Sequence, residues 1–174
     1  AIIAANDTDI MQTARAHYSY MWGRDSAFAV MALDKLGQID ISRRFFLFVQ
    51  KLLKNNLPFL WHKYSADGSL GSSWHPWLID GQKETPFQQD STAIVIYALQ
   101  QHFKRYGDIE FLARVYEDVV RNPAQYMCHH IEETFQLPCP SWDLWEERRG
   151  IHLYTSSLTA LSLFSAAELA SVMG

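Results

Sequence analysis

The segment Pro140-Ser-Trp-Asp-Leu-Trp-Glu-Glu-Arg-Arg-Gly150 gathers three carboxylates, two indoles and two guanidiniums. Protonating the oxygen of a glycosidic bond calls for such a set: a carboxylic acid whose pKa can be raised, polar groups that fix it, and flat apolar faces for a sugar ring. If the segment forms a first helical turn, Asp143 lies near both Glu146 and Glu147, while the two glutamates diverge by about 100°. One of them can then hold its proton against Trp142 or Trp145 while the other pairs with Arg148 or Arg149. The same residues also fit a helix cap, Asp143 to Glu146, with Glu147 in an ordinary surface ion pair.

Two further clusters bear on that choice. In Tyr20-Met-Trp-Gly-Arg-Asp-Ser26, Arg24 offers a fork of donors, Asp25 can accept from two adjacent sugar hydroxyls, and Trp22 offers a stacking face. Gly23 would let backbone approach a ligand, although Asp25 could equally cap the helix with Arg24 paired nearby. The stretches Gly68-Ser-Leu-Gly-Ser-Ser-Trp-His-Pro-Trp77 and Thr85-Pro-Phe-Gln-Gln-Asp90 combine hydroxyls, indoles and amides, which suits a neutral polyhydroxylated ligand. Their plainer reading is turn formers with tryptophans packed beneath a loop.

Helices must position these loops. Phe28, Met31, Ala32 and Leu36 recur at helical spacing from Asp25, and Gly37 supplies a left-handed stop. A second helix, capped by Asp40 or Ser42, runs through Phe45, Phe46, Val49, Leu52 and Leu53 to Asn55-Asn56 and Pro58. About thirty residues without helical period follow, carrying Trp61, Tyr64, Trp74 and Trp77. A third helix spans Asp90 to Tyr106 before Gly107, and a fourth opens at Asp108, with Pro123 expected to kink or interrupt it near Asn122. The last runs from Tyr154 to Met173. Ile2-Ile3 and Tyr18-Ser-Tyr-Met are short β-prone stretches, and Asp7-Thr-Asp9 reads as a cap or turn.

Composition narrows the chemistry. With 174 residues, 48% hydrophobic and 20% charged, the chain reads as a single globular domain or part of one. A net charge of -4 and the lack of a basic stripe argue against nucleic acid and anionic membrane as partners. No apolar run approaches the roughly 18 residues of a membrane span. Cys128 and Cys139 read as free, buried thiols, adjacent His129 and His130 point different ways, and no metal or cofactor motif is present.

Taken in order, Tyr18-Ser-Tyr-Met-Trp-Gly-Arg-Asp25, Ser73-Trp-His-Pro-Trp77, Pro86-Phe-Gln-Gln-Asp90 and Pro140 to His152 closely resemble the glucoamylase family, glycoside hydrolase family 15. The resemblance implies an all-α fold, part of an (α/α)6 barrel with short β-prone segments and long aromatic loops, residues 1–174 being one partial catalytic domain. It implies inverting hydrolysis of α-glucosidic bonds in α-glucans or oligosaccharides, releasing glucose from non-reducing ends, without a cofactor. Glu146 would be the general acid, and Glu147 would bind the sugar beyond the scissile bond. Asp143 and Trp145 would shape the acid's surroundings, and Arg24, Asp25 and Trp22 would hold the terminal glucose. Gln88, Gln89 and Asp90 match a polar inner-helix entrance.

Two departures from the family pattern stand out: Gly23 stands where related bacterial sequences often have Pro, and Gln89 and Ser91 replace acidic residues. The family's general base comes from a later barrel segment, and none of Glu84, Glu110, Glu117, Glu132, Glu133 or Glu168 lies in a motif that would make it the base. The chain is therefore expected to be catalytically incomplete by itself, with open helix faces that favour self-association. The competing reading is a non-catalytic carbohydrate-binding or regulatory (α/α)6 module.

Overall fold

Glycines stop the helices where the sequence pattern puts them: Gly37 and Gly107 take positive φ of 74° and 64°, a conformation that spares the last carbonyls and that glycine adopts without steric cost. The structure is a computed structural model and describes residues 1–5, 18–54, 57–71 and 78–174. Helix α1 (Gly23–Lys35) is followed by α2 (Ile39–Lys54), α3 (Gln89–Tyr106), α4 (Ile109–Tyr116), α5 (Asn122–His129) and α6 (Leu153–Met173). Strand pairs are short: β1 (Leu78–Ile79) with β2 (Gln82–Lys83), β3 (Ile131–Glu132) with β4 (Leu137–Pro138), and β5 (Ser141–Trp142) with β6 (Arg149–Gly150), all antiparallel.

Side-chain pairs fix the helix directions. Arg24 meets Asp90 and Asp34 meets His102, so α1 and α3 run parallel. Gln89 meets Thr159 and Gln100 meets Glu168, which makes α6 parallel to α3. Arg43 with Asp108 and Gln50 with Asp118 align α2 with the α4 rod in the same way. The turn at Leu36 to Gln38 reverses the chain between α1 and α2. The result is an inner row of three parallel helices, α1, α3 and α6, backed by outer helices running the other way. This is the two-layer arrangement of part of a helical toroid, with the N-terminal ends of α1, α3 and α6 at one end.

The helix in the middle explains the core. α3 is buried on nearly every side, at Ala93, Ile94, Val95, Ile96, Ala98 and Leu99, as a helix covered by two neighbours must be. α2 buries only one stripe, Phe45, Phe46, Val49, Leu52 and Leu53. α6 buries a stripe of small residues, Thr155, Thr159, Ser162, Ser165 and Ala166, on its side toward α3. Its other side leaves Leu153, Leu161 and Phe164 exposed.

Four details differ from the sequence expectations or refine them. Pro123 interrupts the α-helix near Asn122 as a π-helical turn and not as a break: α4 passes through Glu117–Arg121 directly into α5. The wider turn lets the chain absorb a proline that can neither donate nor tolerate the carbonyl below it. Neither Asp40 nor Ser42 caps α2: both lie inside it, and the Ser42 hydroxyl bonds back to the Gln38 carbonyl. α6 is apolar and long enough to cross a membrane by length and composition, which a search for uninterrupted apolar runs overlooks because serines and threonines punctuate it. Those hydroxyls pack against α3 or bond to its own carbonyls. The cysteines are free but not buried: Cys128 is exposed and Cys139 half-buried, both lying at or after the end of α5 and away from the core. Asp7-Thr-Asp9, Asn55-Asn56 and Ser73-Trp-His-Pro-Trp77 lie outside the described residues.

Candidate active site

At the N-terminal end of the inner row lies a cavity of about 330 Å³ bordered by Tyr18, Trp22, Arg24, Asp25, Leu144, Trp145, Glu146 and Glu147, with Ala4 at its edge. The Trp22 to Asp25 motif and the acid-rich segment, far apart in sequence, therefore face each other across one space. Trp145 stands 79% exposed, an indole face with no protein cover.

The acid-rich segment is not a helical turn. Residues 141–150 form a hairpin in which Ser141 pairs with Gly150 and Trp142 with Arg149. Asp143 organises the tip: its N–H donates to the Arg148 carbonyl at 2.9 Å, and its Oδ1 accepts from the N–H groups of Glu147 at 2.8 Å and Arg148 at 3.3 Å. The capping chemistry foreseen for Asp143 is thus present, but it closes a β-turn. Glu146 N–H donates to the Asp143 carbonyl at 3.1 Å, and Glu146 itself has φ +58°. A left-handed glutamate costs on the order of 1–2 kcal/mol. Asp80 and Gln136, the other described non-glycine residues with positive φ, sit in the turns of the other two hairpins.

Arg24 ties this hairpin to the helices. Its Nη1 donates to Asp90 Oδ2 at 2.8 Å and, at the long distance of 3.5 Å, to Gln88 Oε1; Nη2 donates to the Leu144 carbonyl at 3.4 Å and lies 3.9 Å from Asp25. Asp25 itself does not cap α1, whose N-cap is Trp22 and makes no side-chain cap bond; its carboxylate is 61% exposed toward the cavity. Gln88 Nε2 donates to the Asp143 carbonyl, and Trp142 N–H donates to the Phe87 carbonyl at 2.9 Å. Asp90 is 1% exposed, and burial pushes its carboxyl up despite the opposing charge and hydrogen bond of Arg24.

Gln88, Gln89 and Asp90 thus stand behind the cavity and do not border it. Gln89 points toward α6, with Nε2 at 3.3 Å from Thr159 Oγ1. Gly23 opens no path to a ligand: a Cβ there would lie 3.0 Å from Leu60 Cδ1 and 3.1 Å from the Ser91 carbonyl, so its smallness serves the close crossing of α1 on α3.

Two side chains escaped the sequence reading. Lys63 is 1% exposed, its ammonium 4.7 Å from the Tyr20 ring centre and 5.5 Å from that of Trp22. Burial pushes it down to about 8, opposed by the charge of Glu146. Its stem fills the space a side chain at residue 71 would need, since a Cβ on Gly71 would sit 2.6 Å from Lys63 Cγ. Lysine is normally a surface residue, and the only hint in the sequence is its place between Trp61 and Tyr64. Tyr154, in the first turn of α6, is the other; burial raises its phenol, and Asp90, Arg24 and Asp25 act on it electrostatically. Among the described residues no cluster of three His, Cys, Asp or Glu could hold a metal.

Comparison with known proteins gives the family. All 174 residues match the family described as Glycosyl hydrolases family 15. An uncharacterized glycosyl hydrolase of Methanocaldococcus jannaschii is 31% identical over 147 residues, covering 84% of this chain and 21% of the relative. Trehalase 2 of Sulfolobus acidocaldarius is 26% identical over 178 residues, covering 90% of this chain and 29% of the relative. The chain spans less than a third of the length of either. No solved structure matches it significantly.

Proposed function

This chain belongs to glycosyl hydrolase family 15, and from that premise we propose that the whole protein hydrolyses α-glucosidic bonds with inversion, releasing glucose from non-reducing ends. The observation that carries the reading is the shared cavity, in which Glu146, Glu147 and Trp145 meet Trp22, Arg24 and Asp25. In this reading the terminal glucose binds to Arg24 and Asp25 beside Trp22, and the next sugar lies toward Glu147 and Trp145. Glu146 delivers its proton to the glycosidic oxygen as the bond to the anomeric carbon breaks. Water adds to that carbon from the opposite face and gives its proton to a second carboxylate, roughly 6.5 to 9.5 Å from the acid. Asp143 shapes the acid's turn.

We assign the second carboxylate to the part of the protein outside these 174 residues. Asp25, Glu146 and Glu147 are the carboxylates bordering the cavity among the described residues, and Glu84, Glu110, Glu117, Glu132, Glu133 and Glu168 do not border it. The trehalase among the relatives makes trehalose a substrate to set beside maltose, isomaltose and starch. The test is glucose release by the full-length protein on these four, with the anomer followed by proton NMR. β-Glucose as first product, and a drop of about 10²- to 10⁴-fold in Glu146→Gln, support the reading. On starch, where the released glucose carries the attacked anomeric carbon, α-glucose as first product excludes inversion, as does α-glucose alone from trehalose, which inversion splits into one α- and one β-glucose; an unchanged rate in the variant excludes the acid role, and sugar binding without release favours a non-catalytic module.

A further inference from the structure

Gln88 is the residue preceding α3 and its side chain is fully buried. A Ser, Thr, Asp or Asn at this position would bond to an N–H of the first helical turn; Gln88 makes no such cap. Its amide is committed elsewhere at both ends. Oε1 faces Arg24 Nη1 at 3.5 Å and Nε2 donates to the Asp143 carbonyl. Only one amide orientation fits, because a guanidinium cannot accept and a carbonyl cannot donate. The oxygen that receives Gln88 is also the one that receives the Glu146 N–H at 3.1 Å. Gln88 is thereby one shared acceptor away from the backbone of the proposed acid, while contributing nothing to the cavity wall.

We propose that Gln88 is a positioning residue for Glu146, gripping the Asp143 carbonyl so that the left-handed acid residue aims its carboxyl at the leaving oxygen. The proposal rests on the acid role of Glu146 given above. Arg24 shares the work through the Leu144 carbonyl, and Asp90 holds Arg24 in turn. Arg24 also faces the cavity, however, so altering it would disturb sugar binding as well; Gln88 separates the two effects.

The separating measurement compares leaving groups. Full-length Gln88→Met, which keeps the length but cannot donate, and Gln88→Glu, which keeps the shape but puts an anion against a carbonyl, are assayed on maltose and trehalose and on 2,4-dinitrophenyl α-glucoside. The dinitrophenolate leaves without a proton. A mispositioned acid should cost about 10- to 100-fold in kcat on the natural disaccharide the wild type cleaves and less than about threefold on the activated glucoside, with KM little changed. Equal losses on both substrates, or no loss on either, overturn the positioning role. Glu146→Gln serves as reference: if it lacks the leaving-group selectivity, the acid assignment itself fails. If it shows that selectivity and both Gln88 variants do not, only the inference about Gln88 fails.

Discussion

Helices α1 and α3 are tied at both ends by a buried acid–base pair, Arg24 with Asp90 at their N-terminal ends and Asp34 with His102 at their C-terminal ends. At the C-terminal ends, both Asp34 oxygens lie 2.9 to 3.0 Å from a single ring nitrogen, Tyr106 closes the backbone carbonyl, and the rings of Phe46, Tyr106 and Phe111 surround the imidazole. The imidazole sends its one bonded nitrogen to Asp34. At the N-terminal ends the cation is a guanidinium with five N–H donors, and Asp90 uses only part of that supply. The surplus reaches Gln88, Leu144 and the neighbourhood of Asp25. A buried pair becomes part of a site when one member has more bonding capacity than its partner consumes and a loop lies within reach.

The contrast can be broken most forcefully at its active end. Arg24→Met strands Asp90 in the interior, and should cost about 3–5 kcal/mol of stability, seen as a lower urea midpoint, together with most of the glucose release. The same end should hold the acid sensitivity. Burial, then the charge of Lys63, hold His62 down to about 4 from 6.5. Between those values the unfolded chain takes up a proton that the folded chain refuses, so His62's contribution is intact above pH 6.5 and is lost as the pH falls toward 4, by roughly 3 kcal/mol at most. Asp90, raised by burial, opposes this, and unfolding of His62→Phe across that pH range should therefore lose only the downward step.

Asp34→Asn tests the quiet end. It should cost about 1–3 kcal/mol of stability, read from urea unfolding, and leave glucose release per folded molecule unchanged; a fall in turnover would erase the distinction between the ends. The smallest effect is expected from Gly71→Ala, about 1–2 kcal/mol, since only the Lys63 stem and the Tyr20 ring must move. Thermal unfolding of that variant reports how tightly Lys63 is held.

Legibility in the sequence followed the range of the forces involved. Helix spans were readable because the stripe Phe45, Phe46, Val49, Leu52 and Leu53 and the stops at Gly37 and Gly107 are local signals. The acidic segment was readable in composition and not in shape: its spacing suits a helix start, but bonds from Phe87, Gln88 and Arg24, distant in sequence, draw it into a hairpin. Lys63 was hidden for a similar reason, as its burial depends on Tyr20, Trp22 and Gly71 converging on it. Gln88 and Asp90 were singled out as residues of a polar inner-helix entrance, while their place behind Arg24, away from the cavity wall, needed coordinates.

The positive φ of Glu146 sets stability against chemistry at one position. Glycine or asparagine would occupy that corner of the turn at less cost, so Glu146→Gly and Glu146→Asn should raise the melting temperature even as they remove the carboxyl. A library of this hairpin selected only for heat resistance would drift toward those residues, and its best survivors would be well-folded proteins without the proposed proton donor.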